Sequence, residues 1–273
     1  MGNTIVVRED PALGTLAAPS SAPEYFDARA PKYWRELYEG DATNHHQLLL
    51  RRRRDLVVDM LKGTAGPALE LGCGPGILIE ALSAAGEVYL GDIAFSMVQQ
   101  AKRRTGKPAS TVAQFSAGAI PFRSGSLSLV TAMGLLEYVD DERACLQEIR
   151  RVLAPDGTAI ITFPARKPVE YLVRDVAGAA AALWRRVRGT DVQAGGMTPK
   201  RDREHSGAAA SRMLEESGFI VEEMRGFHFF FYPWSRVFFG ASRVVDRSLD
   251  RAQRTIPLAR HAAQSWVVKV RKP

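Results

Sequence analysis

The segment Leu69-Glu70-Leu71-Gly72-Cys73-Gly74-Pro75-Gly76 constrains this chain more than any other. It joins a short apolar run, Ala68 to Leu71, to a helical pattern over Ile77 to Ala85. Glycines at such a junction let the chain turn sharply and let a ligand approach bare backbone. The spacing is G-x-G-x-G rather than the G-x-G-x-x-G of a dinucleotide pyrophosphate site. Glu70 stands just before the loop, where a carboxylate repels phosphate and attracts ammonium. Asp92 closes the next strand pattern, twenty residues after Gly72, the offset of a carboxylate that holds a ribose diol. Taken together, strand, acid, three glycines and a spaced second acid point to a nucleoside cofactor without a pyrophosphate.

The surrounding pattern alternates regularly. Strands are expected at Ala68–Leu71, Glu87–Leu90, Thr111–Phe115, Leu127–Met133 and Thr158–Phe163, the last entered through a turn at Ala154-Pro155-Asp156-Gly157. Helices are expected at Phe95–Arg104 and Glu142–Leu153. A further helix, Gly207–Ser217, precedes strands at Phe219–Met224 and Ser265–Val270. Such alternation with short connections implies right-handed crossovers and a doubly wound, mostly parallel seven-stranded α/β sheet. The flanks divide the chain into a mobile arm (1–23), a helical cap (24–62) and a main domain (63–273). The main domain carries a lid-like insert after strand five (165–205) and an aromatic and helical insert (227–262).

Composition enters through charge. With 37 Lys and Arg against 30 Asp and Glu, the net charge is +7. The excess is spread along the chain, and the run Arg51 to Arg54 points all round its helix, so it reads as a solvated turn. Only Cys73 and Cys145 are present, which excludes a disulfide framework and a multi-cysteine zinc site. No ligand cluster for a metal is visible. The longest uncharged stretch is too short and polar to span a bilayer, and no apolar run precedes Arg8, Glu9 and Asp10. A cytoplasmic location is expected.

These residues carry a family resemblance. Glu70 to Gly76 resembles motif I of the class I S-adenosylmethionine-dependent methyltransferases, and Gly91 to Met97 resembles their ribose-binding segment. Ile120-Pro121-Phe122, Leu146 to Gly157 and Leu214 to Phe219 resemble later segments in the right order. The chain is most similar to the small-molecule (type 11, quinone-biosynthesis-like) branch. The resemblance implies a Rossmann-like methyltransferase fold and S-adenosyl-L-methionine as cofactor. Cofactor contacts are expected at Glu70, Gly72, Cys73, Gly74, Gly76, Asp92, Ile93, Met97, Ser116, Ala117, Met133 and Gly134. Family members often carry an acid near Ser116. Here Ser116 and Ala117 are expected to meet the adenine through a hydroxyl or backbone groups.

The implied reaction is in-line displacement of a methyl group from a sulfonium onto a small, partly apolar acceptor, with oxygen slightly favoured. Candidate catalytic groups are His205, Glu137 and Tyr138, with His45, His46 and His228 behind them. The aromatic stretch from Phe227 to Phe239 is read as core, acceptor pocket or peripheral membrane surface. Nucleic acid is not an expected partner, because no Asn/Asp-Pro-Pro-Tyr tetrad or nucleophilic cysteine follows the fourth strand. An RNA methyltransferase and a catalytically silent cofactor-binding protein of the same fold are the alternatives. A nicotinamide oxidoreductase is disfavoured by the glycine spacing and Glu70.

Overall fold

The computed structural model describes residues 21–105, 110–164, 205–227 and 265–273, with isolated positions between 240 and 263. Most of the expected insert after strand five, His228 and the aromatic stretch beyond Phe227 lie outside these residues, as does nearly all of the N-terminal arm. In chain order the elements are α1 (Ala22–Leu37), α2 (His45–Met60), β1 (Ala68–Leu71), α3 (Ile79–Leu82), β2 (Val88–Asp92), α4 (Phe95–Thr105), β3 (Ser110–Gln114) and β4 (Leu127–Ala132). A 3-10 turn (Leu136–Tyr138), α5 (Glu142–Val152), β5 (Leu153–Pro164), α6 (Gly207–Glu216), β6 (Ile220–Phe227) and β7 (Ser265–Arg271) follow.

The seven strands form one sheet in the order β3-β2-β1-β4-β5-β7-β6. Strands β1 to β5 pair in parallel, and β7 runs antiparallel between β5 and β6. The order reverses between β1 and β4, which opens a crevice at the carboxyl edge where ligands of open α/β sheets bind. Side chains alternate across the sheet. Leu69, Leu71 and Val130 pack with Cys145, Leu146 and Ile149 of α5 and Leu214 of α6 on one face. Ala68, Leu90 and Leu129 pack with Val57 of α2, Leu82 of α3 and Val98 of α4 on the other. Each fully buried Leu or Val contributes about 1.5–3 kcal/mol through removal from water.

Local chemistry explains where the elements depart from the sequence pattern. The first helix begins at Ala22, inside the expected arm, because Ser21 caps it by accepting from the Glu24 amide and Pro23 suits a first turn. The helix after the glycine loop shrinks to Ile79–Leu82, since the loop extends to Leu78 and Gly86 closes the segment at φ +139°. The expected turn at 154–157 is absorbed as an irregularity of β5, where pairing jumps from Leu127↔Leu153 to Leu129↔Thr158 and Asp156 takes φ +58°. Among the described residues, no helix is long and apolar enough to cross a membrane.

The two N-terminal helices are fastened at several points. Arg51 of α2 donates to the carbonyls of Leu37 (3.1 Å) and Glu39 (2.9 Å), capping the end of α1. At the other end of α2, Asp59 accepts from Lys62 (2.6 Å) and from Arg225 of β6, and Arg225 also pairs with Glu223 at 2.5 Å. Hydrogen bonding from Lys62 and then Arg225 holds the Asp59 carboxyl down at about 2. A depressed carboxyl contributes stability that is present above its unfolded value near 3.8 and lost as pH falls through 2. Asp59→Asn should therefore lower the urea midpoint at pH 6, and the gap to the parent protein should close between about pH 4 and pH 2. A gap that stays constant over that range, followed by circular dichroism, would exclude this linkage.

Candidate functional site

The glycine loop leaves β1 at the crevice. Gly72, Gly74 and Gly76 take φ +70°, +53° and +78°, a region that side chains with a Cβ avoid. A Cβ on Gly72 would meet Leu135 Cδ1 at 2.9 Å, so the bare backbone is also a packing requirement. The amides of Gly72 and Cys73 both donate to the Gly91 carbonyl, at 2.8 and 3.0 Å, which ties the loop to β2. Gly91 lies under the Phe115 ring, where a Cβ would meet Cε2 at 2.8 Å.

Asp92 ends β2 and organises the crevice. Its Oδ2 accepts from the Gly74 amide at 2.8 Å and its Oδ1 from the Ala94 amide at 2.9 Å. Each oxygen has one such donor, so each retains acceptor capacity for a hydroxyl. Burial raises the Asp92 carboxyl, opposed by the Ala94 and Gly74 amides. Asp27 of α1 accepts from the Ser96 amide at 2.6 Å and places a second acid at this rim. Glu70 lies below the loop, 1% exposed, and accepts from the Leu78 amide at 3.2 and 3.3 Å. Burial pushes its carboxyl up to about 8, against the Leu78 amide and aided by Asp92. At neutral pH Glu70 is thus mostly protonated and holds the loop from beneath. Cys73 is fully buried, with Sγ 3.3 Å from the Gly74 carbonyl and its thiol driven well above the usual value by burial. It belongs to the loop's packing.

On the outer side, Ile93 and Phe95 are exposed at 45% and 53%. Met97 sits in the α1–α4 seam with Ala30 and Ala94, 1% exposed, under Phe26 and Tyr33. Ser116 is exposed and its hydroxyl accepts from the Gly118 amide at 3.2 Å, while Ala117 is buried. At the end of β4, Met133 is buried, and Gly134 (φ +68°) donates its amide to Thr162 Oγ1 at 2.7 Å.

The three expected catalytic residues are spread along this edge. Glu137 is buried in the 3-10 turn and faces Arg53. Tyr138 meets Phe26 of α1 edge-on, with centroids 5.0 Å apart. His205 follows β5, its amide donating to the Pro164 carbonyl, and its Nε2 lies 2.9 Å from Glu142 Oε1 at the start of α5. The imidazole also packs edge-on against Phe163 at 5.9 Å.

Three features were not read from the sequence. Arg53 is not a solvated helix residue. It crosses Gly134, where a Cβ would meet its Cζ at 2.8 Å. Arg53 and Tyr38 are buried against each other, and Arg53 Nε makes no hydrogen bond among the described residues. Arg53 lies on the stripe Leu50, Val57 and Met60, all buried, so its spacing on the apolar face was a legible signal. Glu142 stands likewise on the stripe of Cys145, Leu146 and Ile149. The third is Arg104, whose guanidinium lies 3.2 Å above the Trp34 ring centre and donates to the Pro75 carbonyl at 3.0 Å, clasping α1 to the glycine loop.

The cradle fits a ribose attached to a cationic or neutral group. Its backbone is bare, its diol acceptor is held by two amides, and the acids Asp92 and Asp27 at its rim make it unsuited to a pyrophosphate. The comparisons agree. Residues 69–161 match the family model described as a methyltransferase domain. The chain is 31% identical over 163 residues to a ubiquinone biosynthesis O-methyltransferase of Methylococcus capsulatus, covering 58% of this chain and 65% of that protein. It is 32% identical over 168 residues to a demethylmenaquinone methyltransferase of Renibacterium salmoninarum, covering 57% and 67%. The chain spans less than two thirds of several curated relatives it matches, 35% in one case. The fold superposes on magnesium protoporphyrin IX methyltransferase from Synechocystis PCC 6803, solved with bound SAH (S-adenosylhomocysteine), with a TM-score of 0.60 at 16% identity over 92% of this chain and 98% of that one. From the glycine loop, the Asp92 cradle and these matches, the chain belongs to the class I S-adenosylmethionine-dependent methyltransferases.

Proposed function

We propose that the chain transfers a methyl group from S-adenosylmethionine to a small, partly apolar acceptor, with a hydroxyl oxygen favoured. The observation that carries this reading is the Asp92 carboxylate, held between the Gly74 and Ala94 amides above a positive-φ glycine loop. The small-molecule acceptor is supported by the relatives' printed activities and by the aromatic and aliphatic surroundings of the β4 end. A hydroxyl acceptor is supported by the relative that is an O-methyltransferase.

Asp92 would accept the ribose hydroxyls, with Ile93 and Ser116 beside the base. Arg53, whose buried Nε lacks a partner, would meet the carboxylate of the amino-acid tail, and Glu70 would favour its ammonium. When bound, the cofactor supplies an electrophilic methyl group, so the chain's task is alignment, exclusion of water and proton management. For the last, His205 is the best-built group. Glu142 holds its Nε2, which leaves the other ring nitrogen to take a proton from an acceptor hydroxyl.

Titration calorimetry should find binding of S-adenosylmethionine and S-adenosylhomocysteine and none of NAD. Asp92→Ala should lose about 2 kcal/mol of either affinity, since charge-assisted bonds to two hydroxyls disappear. Unchanged affinity in that variant would remove Asp92 from the site. A nearby ammonium lowers a raised carboxyl, so binding near pH 7 should release protons and tighten as pH rises toward about 8. Heats measured in buffers of different ionisation enthalpy would show it, and Glu70→Gln should abolish the dependence. With a demethylated quinol-type phenol as acceptor, His205→Ala should cut kcat by about 10²–10⁴ and leave S-adenosylhomocysteine affinity within about twofold. A loss of affinity with kcat preserved would assign His205 to binding.

A further inference from the structure

Arg53 of α2 is a buried cation that crosses the Gly134 backbone at the end of β4. Among the described residues its Nε makes no hydrogen bond. Glu137 faces it, and Tyr38 is buried against it. Tyr38 closes α1, and its ring stacks on that of Trp34, one turn earlier, with centroids 5.5 Å apart and planes 17° from parallel. The Arg104 guanidinium of α4 lies 3.2 Å from the centre of the Trp34 ring, and it donates to the Pro75 carbonyl at 3.0 Å. Ile77, in the same loop, packs on the cluster of Leu37, Tyr38 and Leu50. A chain of contacts thus runs from the glycine loop to the end of β4 through Arg104, Trp34, Tyr38 and Arg53.

A long side chain loses rotamer freedom when it is held, and that cost falls on binding unless the side chain is held beforehand. An acid in direct contact would hold a guanidinium but also neutralise it. An aromatic side chain holds it and leaves its charge for an incoming carboxylate. We infer that Trp34 and Tyr38 are positioning residues that hold Arg53 ready for the carboxylate of the cofactor's amino-acid tail, and that Arg104 ties them to the glycine loop. This deepens the reading given under Proposed function and rests on the role given there to Arg53. Packing alone would accept any apolar side chain at position 34. The indole differs in that its π-face attracts the Arg104 guanidinium, and that same guanidinium binds the loop carbonyl. Loss of the ring therefore releases the Pro75 end and the Tyr38 end together.

Two probes isolate the carboxylate. S-Adenosylhomocysteine carries it, and S-adenosyl-3-thiopropylamine keeps the nucleoside, thioether and ammonium but lacks it. Affinities are measured by calorimetry on the full chain. The parent should prefer S-adenosylhomocysteine by about 10- to 100-fold, and Arg53→Met should remove most of that preference. Trp34→Leu should lower the preference about three- to tenfold, chiefly through weaker S-adenosylhomocysteine binding. Trp34→Phe, which keeps a ring, should stay within about twofold of the parent. Added to Arg53→Met, Trp34→Leu should change the preference no further. Equal weakening of both probes by Trp34→Leu, an unchanged preference, or the same fall with and without Arg53 would overturn the positioning role and leave Trp34 as helix packing. A preference that Arg53→Met leaves intact would overturn the role of Arg53 and the positioning with it. A parent protein that binds neither probe would instead overturn the cofactor reading. Arg104→Met, at the other end of the chain of contacts, should reproduce the fall, and it carries the test if Trp34→Leu fails to fold by circular dichroism.

Discussion

The bond from the Gly74 amide to the Asp92 carboxylate is the point on which the rest of the site depends. It joins the loop after β1 to the end of β2, two segments that parallel pairing brings side by side without fastening their tips. The loop can follow this path only because three glycines accept positive φ. The Gly91 carbonyl, which takes two loop amides, completes the fastening. With loop and strand end locked together, the crevice has one rigid wall. The other wall is the end of β4, held to β5 through Gly134 and Thr162.

Electrostatics then decides what such a crevice accepts. Three acids, Glu70, Asp92 and Asp27, lie around the glycine loop, whose Pro75 carbonyl accepts from Arg104. Burial raises the Glu70 carboxyl to about 8, because a carboxylate is costly to ionise away from water even with the Leu78 and Ile77 amides beside it. Arg53 supplies the opposite sign at the β4 rim, opposite Glu137.

The N-terminal helices convert an open α/β crevice into a roofed one. Their attachments are polar at the edges and aromatic in the middle: Asp27 to Ser96, Trp34 to Arg104, Arg51 to the end of α1, and Phe26 to Tyr138 between them. Edge polarity sets the position of α1, and the central rings pack it against α4 and the 3-10 turn. The acid–imidazole pair Glu142–His205 arises from a different junction, where the chain re-enters after β5 against the start of α5.

Short-range pattern was enough for the sheet. Apolar runs bounded by glycine, and the stripe of Cys145, Leu146 and Ile149, determined strand and helix identities because alternation and helical period follow directly from backbone geometry. The glycine spacing and Asp92 were likewise legible, since both ends of that interaction lie on adjacent elements of one β-α-β unit. Element ends were less so: β5 runs through its expected turn because pairing with β4 resumes after an irregularity that no local propensity announces. The partners of Arg53, Asp27 and Glu142 were decided by tertiary structure alone. Asp27 and Ser96 are 69 positions apart, and His205 and Glu142 are 63 apart. A charged residue on an apolar helix stripe marks itself as unusual in the sequence. What it meets depends on which loop the sheet delivers to it, and that is fixed only when the strands close in the order β3-β2-β1-β4-β5-β7-β6.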